Sequence, residues 1–473
     1  MVELQFRQLV WFISAVRDGG KRTRTRLGLL LAMLCPALAQ AQGEPQRQDS
    51  AAEPRDRLSI SGSFRLRYES MDNTFRLVGP GQDELLLSRL LVHAQVNGER
   101  FYGGFELQES RAWLEQDLTP VGTDDVNALE PLRAYLGYRN EGVDIQVGRM
   151  TMDVGSRRLV SRNRMRNTIN AFTGVRAKWS ESGGIGLQAF LTMPVARLPN
   201  NLERERLRNN EFELDQEHWE RILWGLHASD VSIGSQIDTE WYLFGIREKD
   251  RPGLPTRNRD FLTAGLRARN AGVLWAFELE TAIQHGTSRA SILPTDTTDL
   301  DHRAWFIHAE ASRKLQGSWE PRVIFRFDYA SGDEDPDDGE FNRFDTLYGD
   351  RRWEFGPTGI YGALTRSNIL SPGIALRSKP GPSTDFRIDY RPAWLASDRD
   401  FMPTALLRDR DGNSGSFIGH QVDLRWRWWS ASRKLNVDFT AAYLWKGEFL
   451  KDVPGAPPSS NTAYAYISTA MVF

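Results

Sequence analysis

From about residue 58 the chain divides into strand-length runs of alternating apolar and polar residues, joined by connections that are alternately short and long. The run from Leu58 to Tyr68 shows the pattern. Leu58, Ile60, Phe64, Leu66 and Tyr68 fall on one face, and Ser59, Ser61, Ser63, Arg65 and Arg67 fall on the other. A period of two gives each strand one apolar and one polar side. A long series of such strands closes as a barrel, apolar outside and wet within, and that geometry belongs in an outer membrane.

Eighteen strands are expected, near 58–70, 84–97, 100–113, 131–141, 143–152, 172–181, 184–193, 221–230, 235–248, 259–270, 273–286, 303–315, 319–331, 365–378, 383–396, 416–430, 434–447 and 462–473. The even number suits a bacterial barrel. Asn97-Gly98-Glu99, Asn140-Glu141-Gly142, Ser182-Gly183-Gly184, Asn270-Ala271-Gly272, Gln316-Gly317-Ser318 and Pro380-Gly381-Pro382 are compact turns, made of residues that tolerate turn dihedrals. Between them lie long polar segments, among them 114–130, 153–171, 194–220, 287–302, 332–364 and 398–415. All long loops then emerge on one side and all short turns on the other, with both termini on the turn side. The predicted fold is an all-β, 18-stranded antiparallel transmembrane β-barrel with long extracellular loops and short periplasmic turns.

Composition agrees. Charged residues make up 26% of 473 and mean hydropathy is −0.48, values that suit a spanning structure only if half of each strand meets water. Trp179, Trp224, Trp275, Trp305, Trp394, Trp426, Trp428, Tyr443 and Trp445 sit on the apolar face or near strand ends, where amphipathic rings favour the headgroup level. The last strand ends on Phe473.

The N-terminus reads as a secretory signal over 1–41. Lys21, Arg22, Arg24 and Arg26 precede an apolar run from Leu27 to Leu34, and Ala37-Leu38-Ala39 or Ala39-Gln40-Ala41 supplies small residues for cleavage. Residues 42–57 form a polar periplasmic lead-in, and 58–473 the barrel. The single cysteine, Cys35, lies in the signal, so the mature chain is expected to hold no disulfide, thiolate metal site or cysteine nucleophile.

Parity assigns the lumen. Arg65, Arg67, Arg89, Arg133, Arg139, Arg176, Lys178, Arg267, Arg269, Arg322, Arg326, Arg387, Arg391, Arg425 and Arg427 point inward, against Glu106, Glu278, Glu280, Glu310, Asp328, Asp385, Asp389, Asp423 and Asp438. That is 15 basic groups to 9 acidic in a chain of net charge −2, so the wall is expected to be net positive. An arginine facing lipid at the midplane costs about 2–4 kcal/mol; inside, its planar fork binds carboxylates two-pronged and stays charged. Asp385-x-Arg387-x-Asp389-x-Arg391 and Asp423-x-Arg425-x-Arg427 are the densest segments. Each of these arginines has two readings, a brace for the wall or a contact for a passing anion. The acidic stretch from Asp333 through Asp335 and Asp337 to Glu340 has alternate oxygen ligands of the kind calcium takes, but it lacks the full twelve-residue loop, and a solvated surface loop is the favoured reading. No cofactor is expected.

Val147-Gly148-Arg149-Met150, Gly155-Ser156-Arg157-Arg158-Leu159-Val160, Asn167-Thr168 and Phe172-Thr173-Gly174-Val175-Arg176 resemble the signature region of the alginate-export family of outer-membrane porins. Tyr329-Ala330-Ser331-Gly332-Asp333, Asp338-Gly339 and Phe344-Asp345-Thr346-Leu347-Tyr348 are similar to a second shared segment. The resemblance implies an 18-stranded barrel whose arginine-lined, electropositive constriction passes a polyuronate outward. Arg149 shares the parity of outward Val147, so a bulge near Gly148 is expected to turn it into the lumen.

Three functions compete. One is passive export of an anionic exopolysaccharide of the alginate type, driven by synthesis behind it. Another is a substrate-specific uptake porin for small anions. The third, a barrel enzyme, is disfavoured, since strand residues His93, His308 and His420 have no serine–acid partner in any motif. Outer-membrane lipid and periplasmic secretion components are the expected partners of a monomer, and nucleic acid is not.

Overall fold

A computed structural model describes residues 57–180, 184–233, 237–251, 253–270 and 272–473. The signal, all of the lead-in except Arg57, and the turn residues Ser182, Gly183 and Ala271 lie outside the described residues.

The strands are Leu58–Asp72 (β1), Gln82–Asn97 (β2), Phe101–Trp113 (β3), Asn127–Asn140 (β4), Val143–Met150 (β5), Phe172–Ser180 (β6), Gly186–Pro194 (β7), Arg221–Ile233 (β8) and Ile237–Glu248 (β9). There follow Asp260–Asn270 (β10), Trp275–Ser288 (β11), Leu300–Lys314 (β12), Arg322–Ala330 (β13), Glu340–Phe341 (β14), Ile369–Gly381 (β15), Thr384–Trp394 (β16), Phe417–Trp429 (β17), Leu435–Lys446 (β18) and Thr462–Val472 (β19). The two-residue β14 pairs in parallel with β12 and belongs to a loop. The other eighteen form one antiparallel ring in chain order, closed where β1 meets β19 from Ser63 opposite Val472 to Asp72 opposite Ala463.

Facing follows the alternation. Ile60, at 65% exposed, points outward, while Arg65 and Arg67 are buried on the inner side. Trp179, Trp275, Trp305, Trp426, Tyr443 and Trp445 are exposed on the outer wall, and Trp305 stacks on Tyr329 at 4.3 Å. The Glu141-Gly142 turn uses positive φ at both residues, +42° and +83°, which matches the twist of the strands it joins. A Cβ on Gly142 would also lie 2.4 Å from the Ser180 carbonyl oxygen.

The long connections, whose course the sequence leaves open, pack into the loop end of the barrel. Phe75, Val121, Met152, Val154, Leu159, Val160, Leu207, Phe344, Phe355, Ile360, Tyr361, Leu364, Phe449 and Leu450 are all buried in one apolar cluster with lumen-facing Leu85, Leu87 and Phe306. These apolar residues are scattered through irregular loops and helices of a single turn, too short to show a period, so they give no pattern to read. The loop end of the barrel is a packed core.

Arg149 also corrects an expectation. Strand β5 runs without slip against both neighbours, and the extra residue lies in β4, where Glu106 pairs with Arg133 but Leu107 pairs with Pro131. Arg149 reaches Glu130 and, at 2.7 Å, Glu217.

Candidate functional site: the crossed lumen

Loop 151–171 leaves β5 and spans to β11. There the Ser156 hydroxyl donates to Glu280 at 2.9 Å. Arg158, 1% exposed, pairs with Glu278 at 2.6 Å, with Glu354 at 2.6 Å, and with Glu280. Burial alone would lower this guanidinium's pKa, yet Glu354, Glu280 and Glu278 raise it well above its ordinary value. The later part of the same loop is held by three of the expected lumen arginines. Arg65 donates to the Arg166 carbonyl at 2.8 Å, Arg67 to that of Met165 at 3.1 Å, and Arg89 to that of Arg166 at 2.9 Å. Asn167 in turn donates to the carbonyls of Ser88 at 2.9 Å and Asp125 at 2.7 Å.

Loop 331–368, which contains β14, crosses the lumen completely. At one wall the Asp345 carboxylate pairs with Arg257 and, at 3.0 Å, Arg259, and its amide donates to Gln284 of β11 at 2.9 Å. At the opposite wall the Ile360 amide donates to Glu69 of β1 at 3.0 Å, and the Tyr464 hydroxyl of β19 donates to the Thr358 carbonyl at 3.3 Å. In a ring of eighteen strands, β1 and β10–β11 lie across a diameter. Burial would raise the Asp345 carboxyl, but Arg259 and Arg257 hold it well below the usual carboxylate range.

The two loops are joined. The Tyr348 amide donates to Leu159 at 3.0 Å, the Ser161 amide to Tyr348 at 3.1 Å and the Asp350 amide to Arg157 at 2.9 Å. They touch so closely that a Cβ on Gly349 would lie 1.8 Å from the Arg158 carbonyl oxygen. Glycine is required there by proximity alone.

Most of the remaining candidate residues are wall braces in geometry. Arg133 pairs with Glu106 at 2.5 Å, Arg139 with Asp144 at 2.7 Å, and Arg267 with Glu240 and Glu278, both at 2.7 Å. Arg326 and Arg387 both reach Asp389 at 2.7 Å, and Arg391 reaches Asp328 at 3.1 Å. Arg425 pairs with Asp438, and Arg427 with Asp385 at 2.9 Å. Asp423 is buried and accepts from Gln421 at 2.9 Å, Arg176 donates to Gln146 at 2.8 Å, and Arg322 donates to the Ser312 hydroxyl at 3.0 Å. Charges paired in this way brace the wall and keep only part of their pull on a passing solute.

Register brings out a further pattern. Lys314, Arg322, Arg377, Arg387 and Arg425 stand directly opposite one another on five successive barrel strands. This basic rung lies toward the short-turn end. Arg377, exposed, has no hydrogen bond or ion pair among the described residues. It was missing from the candidates, although the parity of Ser371 and Ala375 assigns it inward. Glu69, Asp83, Glu130, Asp144 and Glu240 are inward carboxylates that the parity count also omitted, so the positive excess of the strand wall is smaller than expected. Glu69 continues the face of Arg65 and Arg67 and was legible; Arg158 and Arg366 sit in loops, where no parity applies.

The acidic loop does not gather its carboxylates. Asp333 is buried, its amide donating to Asp400 at 3.0 Å; Asp335 accepts from the Asp337 amide at 3.2 Å; and Asp337 pairs with Arg410. Burial, then the Asp400 charge, push the Asp333 carboxyl up to about 6. A folded pKa above the unfolded one means that ionisation opposes folding, so this loop loses stability as pH rises from the ordinary carboxylate range through about 6. Amide exchange of 332–342, corrected for intrinsic rate, is therefore expected to quicken over that window in the wild type. In Asp333→Asn it should stay flat.

His308, Asp328 and Glu354 form the one cluster of metal-ligand type among the described residues. It does not fit a cation. Glu354 is already engaged by Arg158 and, at 2.6 Å, by Arg366, and Asp328 by Arg391, so three guanidiniums surround the carboxylates a metal would need.

The fold has solved counterparts in Pseudomonas aeruginosa. OpdG (OccK9) superposes with a TM-score of 0.56 at 11% identity, over 88% of this chain and 98% of that one. OprD gives 0.55 at 10% identity, over 88% and 93%, and OpdK with vanillate gives 0.54 at 11%, over 88% and 98%. No curated protein sequence matches. The alginate export family profile matches residues 56–463, nearly the whole barrel. With that match, the closed ring and the charged, loop-crossed lumen inside a lipid-facing wall, this outer-membrane chain belongs to the alginate export family.

Proposed function

We propose that this outer-membrane channel passes an anionic polysaccharide of the alginate type outward, with arginines of the inner wall as its contacts. The observation that carries the reading is the basic rung from Lys314 to Arg425, in a member of the alginate export family. It lies toward the turn end, which is periplasmic in bacterial barrels, so it stands near the mouth that a polymer from inside the cell enters. Neighbouring strands are about 4.8 Å apart, so the rung offers several guanidiniums side by side, each a moderate site rather than one trap. Arg133, Arg139, Arg149, Arg176, Arg267, Arg326, Arg391 and Arg427 would contribute as a ladder above and beside it.

The second reading, uptake of small anions, draws support from the two loops that cross the lumen and narrow the path. Single-channel recording in planar bilayers separates them. The expected result is an anion-selective pore that short oligouronates block reversibly. Selectivity without oligouronate block favours the small-anion porin, and cation selectivity removes both.

A further inference from the structure

Strands β5 and β6 are short for a membrane wall. They have eight and nine residues, against thirteen in β3 and fourteen in β4. At about 3.4 Å per residue and a tilt of about 40°, such strands rise about 20 Å, short of the apolar band of about 25 Å that barrels present to lipid. Loop 151–171 does not extend them, because it turns into the lumen. Segment 195–219 closes the gap above them. The Val195 amide donates to the Ala171 carbonyl at 3.0 Å, and Ala196 and Gln216 exchange amide-to-carbonyl bonds at 2.8 and 3.0 Å, which carries the line of β7 beyond Pro194. Glu217 docks on the loop ends of both short strands, accepting from Arg149 at 2.8 Å and from Thr173 at 2.6 Å.

The inner side of this segment is packed, with Leu198 and Leu207 buried. Along 212–215 the facing expected of a loop in water is inverted. Asp215 is buried, accepting from the Leu198 amide at 2.9 Å and from Asn127 at 2.8 Å, and Glu213 turns to Arg206 at 2.7 Å. Phe212 and Leu214 point the other way, 52% and 53% exposed, with Trp219 at 76% and Leu129 of β4 also exposed. A loop surrounded by water shows its carboxylates and hides its large apolar groups; this one does the reverse. The backbone is bonded as a lipid-side chain requires. Besides the Gln216 bonds, the Asp215 amide donates to Glu130 at 3.1 Å, and its carbonyl accepts from Arg149 at 3.3 Å. Asn210 bonds both the amide and the carbonyl of Ala112 at 2.9 and 2.7 Å, past the last pairing of β3 with β4.

From this geometry we infer that residues 212–219 form a membrane-contacting flap, with Phe212, Leu214 and Trp219 among the lipids of the outer leaflet, completing the lipid-facing wall above β5 and β6. The loop end is the extracellular end, which fixes the leaflet. Lipid is the occupant because the flap continues the outer faces of β5, β6 and β7, where Val147, Val175 and Leu191 are exposed. Gln216 shares the flap's outer face, so the level is the boundary of headgroups and acyl chains rather than the middle of the hydrocarbon. The inference does not depend on what the channel carries.

The test places a small fluorophore on Leu214→Cys, in the full chain with the sole native thiol removed by Cys35→Ser, reconstituted into phospholipid vesicles. Val175→Cys on the wall and Glu334→Cys on the acidic loop carry the same dye as references. With the dye about 5–10 Å beneath the headgroups, lipid brominated near the head of its chains is expected to quench about half of the emission from Leu214→Cys, as from Val175→Cys. Aqueous iodide should quench Glu334→Cys severalfold more than either. Iodide quenching of Leu214→Cys equal to that of Glu334→Cys, without an effect of brominated lipid, overturns the proposal and leaves an open loop. A dye shielded from both quenchers also overturns it, since protein, a second copy included, then covers the flap. Should the labelled chains fail to fold, hydroxyl-radical oxidation of the wild type in vesicles decides. Trp219 protected like Trp241 of the outer wall supports the flap, and Trp219 readily oxidised sinks it.

Discussion

Arg158→Ala should open the channel. The substitution leaves Glu278, Glu280 and Glu354 close together in a buried site without the guanidinium that joins them. Breaking a buried ion pair from one side costs about 3–5 kcal/mol. That energy is local to the joint between loops 151–171 and 331–368, whereas the ring of strand ladders stays intact. The barrel is therefore expected to keep its strand content and heat resistance while both loops become cleavable by protease. Conductance should rise severalfold as the crossing leaves the lumen. Gly349→Ala, which drives a methyl into the Arg158 carbonyl, should do the same by steric means without removing a charge. Unchanged conductance in both variants would show that the crossing loops do not limit the path.

The second large effect is on selectivity. Arg322 and Arg377 are adjacent members of the basic rung, and neither pairs with a carboxylate among the described residues, unlike Arg387 and Arg425. Reversing both to Glu changes the wall by four units of charge and leaves no buried partner stranded. An ion passing at about 8 Å feels about 0.5 kcal/mol per unit charge in water, or about 2 kcal/mol for four before screening. At about 0.1 M salt the Debye length is about 10 Å, so a loss of anion preference of several-fold should survive. Reversal potentials in a salt gradient measure it directly. An unaltered reversal potential would move the selecting charges away from this rung, toward Arg157 or Arg164 on the crossing loop.

The wall was legible in the sequence and its contents were not. Alternation gave Leu58–Asp72 its facing because every second side chain meets either lipid or the interior, and that contrast is strong for Ile60 against Arg65. Turns such as Asn140-Glu141-Gly142 declared themselves through turn-forming residues, Gly142 above all, whose φ is positive. Loop 331–368 carries no period at all. Its course depends on contacts such as Ile360 with Glu69, 291 residues apart, and no local pattern encodes those. For the same reason parity correctly turned Arg65, Arg67 and Arg89 inward but could not say that a loop carbonyl, rather than open water, waits at the end of each. Arg149 shows the limit in miniature. It stands opposite Ala134, and its guanidinium reaches Glu130 and Glu217, contacts that the alternation of its own strand does not encode.

The crossing loop also constrains how the molecule is assembled. Its far anchors, Glu69 and Tyr464, sit on the first and last strands, which become neighbours only when the chain's two ends are zipped together. Until that seam seals, Thr358 and Ile360 have no complete berth. Stowing the crossbar and sewing up the cylinder must therefore finish as one event, and a half-inserted chain would carry its plug segment undocked.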